Sequence, residues 1–178
     1  MNRMVSAIVS LAQHLHAIRH TPQDYRPAAC PHCGLGRLWR HGCYVRKADR
    51  RSPSVQSLHP IPIPRYCCAG CGHTCSRLPG CLAPRRWYDW AMQQRALLAV
   101  LRGLSLRRCA AWTGLARQTV RRWQAWLAGR HEVFAFHLRS RFGELGRAGE
   151  LAEFWQTCWR SVSLADAMTW LNRVMVVP

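Results

Sequence analysis

Four of the chain's ten cysteines fall into a pattern that binds metal. Cys30-Pro31-His32-Cys33-Gly34 is answered by Cys68-Ala69-Gly70-Cys71-Gly72. In each turn two thiols stand two residues apart and a glycine follows the second. That spacing lets a tight turn aim two sulfurs at one ion while the glycine takes the strained backbone angle. Two such turns supply four thiolates, the donor set of a closed tetrahedral Zn²⁺ site. A closed site leaves no position for a reacting water, so its expected role is structural. Cys67 stands beside Cys68, and either could pair with Cys71. Cys68 alone gives the two-residue gap followed by glycine and is the expected ligand, with Cys67 as the alternative. The remaining cysteines, Cys43, Cys75, Cys81, Cys109 and Cys158, lack partner spacing and read as small buried hydrophobes. His32 and His73 read as turn residues bonded to backbone, and His14, His16 and His20 as solvated or stacking side chains.

Charge supplies the second kind of chemistry. Lys and Arg number 26 against 8 Asp and Glu in 178 residues, a formal net charge of +18 with a pI near 11.0. Such an excess repels itself, and a polyanion relieves it. Nucleic acid is the leading candidate and an anionic membrane surface the second. Most of the positive charge is arginine, suited to bidentate contact with phosphate and guanine. No apolar run reaches the roughly 18 residues that span a bilayer. The N-terminus lacks a convincing small-residue cleavage site, and a reducing compartment suits unpaired thiols. A soluble, cytoplasmic, nucleoid-associated protein is expected.

The elements that must position these groups follow from periodicity. Val5, Ile8, Leu11, Leu15 and Ile18 recur at helical spacing and predict an amphipathic helix within residues 1–26, ended by Thr21-Pro22. A zinc ribbon of β-hairpins, closed by the four cysteines, is expected over 27–84. Within it, 38–46 reads as strand, turn and strand, and Lys47 to His59 as a mobile hairpin tip carrying Arg46, Lys47, Arg50 and Arg51 toward DNA. Ile61 to Cys67 alternates like a strand, and Pro62 and Pro64 confine it to an edge because each removes a ladder donor. So small a ribbon has little core, and metal should supply much of its stability.

From Trp87 the pattern turns helical. Trp90, Leu97, Leu98 and Leu101 trace one apolar face, Gly103 breaks that helix, and Ser105 caps the next. Residues 105–113, Gly114, and about 116–128 have helix-turn-helix spacing within a segment 85–130. Ala110 fits a close helix approach, and Leu106, Leu115, Val120 and Trp123 would fill the core between the helices. Arg117, Gln118, Arg121 and Arg122 then fall on the exposed face of the second helix. Arginine there reads guanine and glutamine reads adenine in a major groove. Residues 131–178 carry two apolar helical faces, Leu151 to Val162 and Leu164 to Met175, the second opened by a Ser163/Asp166 cap. They should pack on each other and on the helix-turn-helix, or form a dimer seam. The expected class is α+β, mostly α.

The turns, together with Arg40-His41-Gly42-Cys43-Tyr44, Arg65-Tyr66-Cys67-Cys68-Ala69-Gly70-Cys71-Gly72 and Leu78-Pro79, resemble the N-terminal zinc ribbon of bacterial insertion-sequence transposases. In those proteins a helix-turn-helix commonly follows, as here, and the resemblance covers roughly residues 28–128. The resemblance implies zinc binding and recognition of element-end DNA, with a second copy or a separate transposase subunit as possible partners. An aromatic usually stands where this chain has Cys75. The catalytic part of such enzymes, three carboxylates on an α/β domain, does not carry over. This chain has only Asp24, Asp49, Asp89, Asp166 and four glutamates, and its tail shows no alternating strands to hold them. The expectation is a double-stranded DNA-binding protein without catalysis of its own. A DNA-cleaving subunit and a protein-interaction adaptor are the alternatives.

Overall fold

A computed structural model describes residues 4–46, 60–83, 88–147, 149–175 and 177. They form two units, Met1–Asp89 with Met175–Pro178, and Trp90–Val174. The class is α+β with helix predominating, as expected.

In the first unit, β1 (Met4–Val5) pairs in parallel with β5 (Leu78–Pro79). The helix expected from Val5 starts later, as α1 (Leu11–His20), because the Ser10 side chain accepts from the Gln13 amide at 3.2 Å and fixes the cap there. It stops where expected: the Thr21 amide donates back to Ala17 O at 2.8 Å, and Pro22 opens a short 3₁₀ turn, Pro22–Tyr25.

The segment 38–46 is one strand, β2 (Leu38–Arg46), rather than strand, turn and strand. Its pairing with β3 (Ile61–Cys68) shifts register between Arg40 and Cys43, where Gly42 takes φ +70°. A bulge absorbs the glycine that would otherwise signal a turn.

The sheet order is β2-β3-β4, with β4 spanning Thr74–Cys75, so β3 is its middle strand. The prolines are nonetheless on an edge locally. β4 reaches only Tyr66 and Cys67, leaving Pro62 and Pro64 with one strand neighbour. Residues two apart turn their amide positions to the same side, so both missing donors face the side away from β2. There α1 covers the strand, with His14 Nε2 donating to Pro62 O at 2.8 Å. The twisted strand buries Tyr66 and Cys68 with Val5, Ile8, Tyr25 and Leu38 on one face, and Ile61 and Ile63 with Leu78 and Leu82 on the other.

The second unit is helical: α2 (Trp90–Leu101), α3 (Leu106–Thr113), α4 (Arg117–Arg141), a 3₁₀ turn Gly143–Arg147, α5 (Leu151–Ser161) and α6 (Leu164–Val174). Ser105 caps α3 by accepting from the Arg108 amide at 3.3 Å, and Gly114 ends it in the left-handed region at φ +70°. Leu115, Val120 and Trp123 are buried as expected, while Leu106 and Ala110 are half-buried. The helix expected over about 116–128 does not end there but runs on to Arg141. An exposed glycine costs a helix only about 1 kcal/mol, and Leu127, His131, Phe134 and Leu138 beyond and before Gly129 are all buried. Each large apolar residue among them contributes more than the glycine costs. Helices α5 and α6 pack on α2 and α4 through Phe154, Trp155, Cys158, Leu164, Met168 and Leu171. The Ser163/Asp166 cap forms, with the Asp166 amide donating to Ser163 Oγ at 3.1 Å. Among the described residues no helix is long and apolar enough to cross a membrane.

Candidate metal centre and helical recognition face

The two cysteine turns are built alike. The Gly34 amide donates to Cys30 O at 2.9 Å and the Gly72 amide to Cys68 O at 3.0 Å. The Cys30 amide reaches Leu35 O at 2.9 Å and the Cys68 amide His73 O at 3.0 Å. Gly34 and Gly72 sit at φ +77° and +69°, a region costly for any residue with a Cβ. In each turn one amide is aimed at the first sulfur: His32 N to Cys30 Sγ, and Gly70 N to Cys68 Sγ, both at 3.4 Å. The Ala69 amide ties the second turn to Arg37 O at 2.9 Å. Local hydrogen bonding thus fixes both turns, and β2 paired with β3 brings them together.

The result is a four-sulfur cluster. The sulfurs of Cys30, Cys33, Cys68 and Cys71 all lie within 4.8 Å of one another. Cys30 and Cys71 are 3.6 Å apart, and Cys33 and Cys68 3.5 Å. A tetrahedral ion with metal–sulfur bonds of about 2.3 Å sets sulfurs about 3.75 Å apart, so these separations suit one shared ion. The acidity of the thiols points the same way. The Cys71 and Gly70 amides push the Cys68 thiol down to about 6. The Cys33 amide likewise lowers that of Cys30. For Cys71, the His73 amide favours the thiolate, but desolvation and the three neighbouring sulfurs outweigh it and push the thiol up to about 12. Four thiols this close cannot all ionise unless a cation shares their charge. The cluster fits metal binding by number, distance and donor type.

Cys67 stays outside this cluster, its Sγ directed at Gly72 O at 3.4 Å, so the alternative ligand is set aside. His32 and His73 stack over the turns with ring centroids 3.8 Å apart and planes 12° from parallel. Together with Cys71 they come within metal-binding distance, yet in-plane lone pairs of two parallel rings run side by side and do not converge on one ion. His73 Nδ1 meets Cys71 O at 3.2 Å, a backbone bond of the expected kind.

Other sequence expectations divide. Cys109 and Cys158 are buried, Cys75 and Cys81 half-buried, and Cys43 is exposed, contrary to expectation, because β2 presents it on an uncovered stretch. The rings of His16 and His20 meet at 4.3 Å but are tilted 40° from parallel, not stacked. His14 is fully buried rather than solvated: its Nδ1 accepts from the Tyr25 hydroxyl while Nε2 donates to Pro62 O. Burial holds its pKa below the ordinary histidine value. Only the tertiary pairing of α1 with β3 explains this, and periodicity from Val5 could not reveal it.

On the helical side, Arg117, Gln118, Arg121 and Arg122 are all exposed on the first two turns of α4. Val120 and Trp123, on the opposite side, are buried. Ala116 gives α4 no side-chain cap, leaving its first amides for another acceptor. Arg46 is placed differently. It is half-buried, and its guanidinium donates to Ala83 O, so it braces the first unit instead of standing free for DNA. Lys47, Arg50 and Arg51, with the expected hairpin tip, lie outside the described residues.

Neither a curated protein nor a solved structure matches the chain. A family model does match, described as a domain of unknown function, DUF6431, over residues 30–123. Its span opens on the first candidate ligand, Cys30, and closes on Trp123 in α4. It covers more than half of the sequence, and the chain belongs to the DUF6431 family.

Proposed function

We propose that the protein is a non-catalytic, sequence-recognising double-stranded DNA-binding protein, related to insertion-sequence transposases and acting as an accessory or regulatory factor. A structural Zn²⁺ held by Cys30, Cys33, Cys68 and Cys71 orders the first unit, and α3 with α4 reads the duplex. Zinc is favoured because four thiolates in a closed tetrahedral set suit it and leave no catalytic position.

The observation that carries the reading is the exposed row Arg117, Gln118, Arg121 and Arg122 over the buried Val120 and Trp123. Two features support it. Arginines at the start of a helix stand against the positive end of its dipole, an arrangement that a polyanion relieves. From Trp90 to His131 the chain holds Arg95, Arg102, Arg107, Arg108, Arg117, Arg121, Arg122 and Arg130 and no carboxylate.

The test is selection of bound sequences from a random duplex pool, followed by affinity measurement against salt. Tight binding that weakens steeply with salt is expected. Arg117→Ala and Arg121→Ala should each lower affinity about 10-fold and relax sequence preference. Unchanged affinity and preference would sink the recognition-helix assignment, and no DNA binding at low salt would favour a protein adaptor. Metal analysis should find one zinc per chain with four protected thiols.

A further inference from the structure

The sheet of the first unit carries an indole that its core does not use. Trp39 on β2 is 63% exposed. Its cross-strand partner is Cys67, and Cys67 in turn pairs with Thr74 on β4. Alternation puts Arg65 on the same face as Cys67. Past the bulge, Tyr44 continues that face opposite Ile63. Arg65 lies 5.4 Å over the Tyr44 ring, a guanidinium already set against an aromatic surface. The face is closed at one end, where Ile61 and Ile63 are buried, and open at the other, where Trp39 stands. Arg37, two residues before the indole, is exposed, and the stretches 28–46 and 60–83 contain no carboxylate.

We propose that this open end, Trp39 with Arg37 and Arg65, is a stacking platform for unpaired nucleobases, giving the first unit a single-stranded DNA-binding site distinct from α4. An indole offers a flat π-face that any base can stack on, and the arginines offer cations to the phosphates on either side. Paired bases hide their faces within the duplex, so this chemistry selects a strand that is not paired. The positive charge fits a polyanion and opposes docking of a second copy. An added peptide strand is disfavoured on β2, since the register shift at Arg40 and Cys43 and the positive φ of Gly42 interrupt its row of amides and carbonyls. The proposal shares only its charge argument with the duplex reading, and the two fail separately.

The test uses the full-length, metal-loaded protein and a fluorescent thymidine oligonucleotide of about 12 nucleotides, beside the selected duplex. Trp39→Ala should weaken oligonucleotide binding about 10-fold or more while leaving duplex affinity in place. Trp39→Phe keeps a π-face and should bind near the wild-type level. Trp39→Leu keeps apolar bulk without one and should not, which separates stacking from folding. Arg121→Ala should do the reverse, harming duplex binding alone. Failure of the wild type to bind the oligonucleotide, equal binding by the Phe and Leu variants, or parallel losses on both probes after Trp39→Ala would each overturn the platform.

Discussion

In the first unit, large buried side chains are bonded as well as packed, whereas in the second they are chiefly packed. Tyr25 is fully buried and its hydroxyl donates to His14, which in turn donates to Pro62 O. Tyr66 donates to Pro22 O at 2.7 Å, and Arg77 spans Asp24 O at 3.3 Å and Met4 O at 3.0 Å. The second unit instead meets edge on face: Phe154 and Trp155 at 5.3 Å, Phe134 and Trp155 at 6.4 Å. Among its described residues, the indole nitrogens of Trp90, Trp155 and Trp159 are buried without a hydrogen-bond partner. Aromatic bulk can stabilise a core that leaves some donors unpaired. A small sheet without that bulk depends on polar bonds that fix register, and on the metal that its four sulfurs can hold.

The comparison can be broken from either side. The largest effect should come from Cys68→Ser or from chelation, because structural zinc contributes on the order of 10 kcal/mol to small domains. Hydrogen exchange should show β2 and β3 opening while α2 to α6 stay protected; simultaneous melting of the helices would erase the distinction. Phe134→Ala should cost the second unit about 3–5 kcal/mol in denaturant titration and leave metal content unchanged. Tyr25→Phe removes the donor to buried His14 and should cost the first unit about 1–3 kcal/mol.

Acid should act on both units. Burial lowers the pKa of His14 and, with its largest cause again desolvation, that of His131. An unfolded histidine titrates near about 6.5, so below that pH the unfolded chain takes up protons that the folded one resists. Stability is therefore full above about pH 6.5 and falls as pH drops toward the lowered folded values. His131→Phe should flatten this dependence in the second unit only. The smallest effect has the opposite sign. A Cβ at Gly129 would meet nothing within 4 Å, and Gly129→Ala should stabilise the second unit by about 1 kcal/mol. A loss of stability there would mean that the helix is less regular than its hydrogen bonding implies.

What the sequence revealed was local. The cysteine turns, Ser105, Gly114 and the exposed row on α4 each follow from chemistry within a few residues. Legibility failed where a distant partner decides. Val5 looks helical until it pairs with Pro79. Gly42 signals a turn until β3 runs past it and makes a bulge. Gly129 looks like a terminus until Phe134 and Leu138 extend the helix by finding a core. His14 looks solvated until Tyr25 and Pro62 occupy both its nitrogens. Each is a tertiary gain larger than the local preference it overrides.

Helix α4 carries two kinds of position on one rod of 25 residues, about 37 Å long. The residues proposed to meet DNA, Arg117, Gln118, Arg121 and Arg122, fall on the exposed side of its first turns, while the buried anchors start among them on the opposite side with Val120 and Trp123 and run on through Leu127, His131, Phe134 and Leu138. Neither set overlaps the other. Substitutions at the exposed positions leave the buried side untouched, so mutational drift could change what this helix meets without eroding what holds it in place.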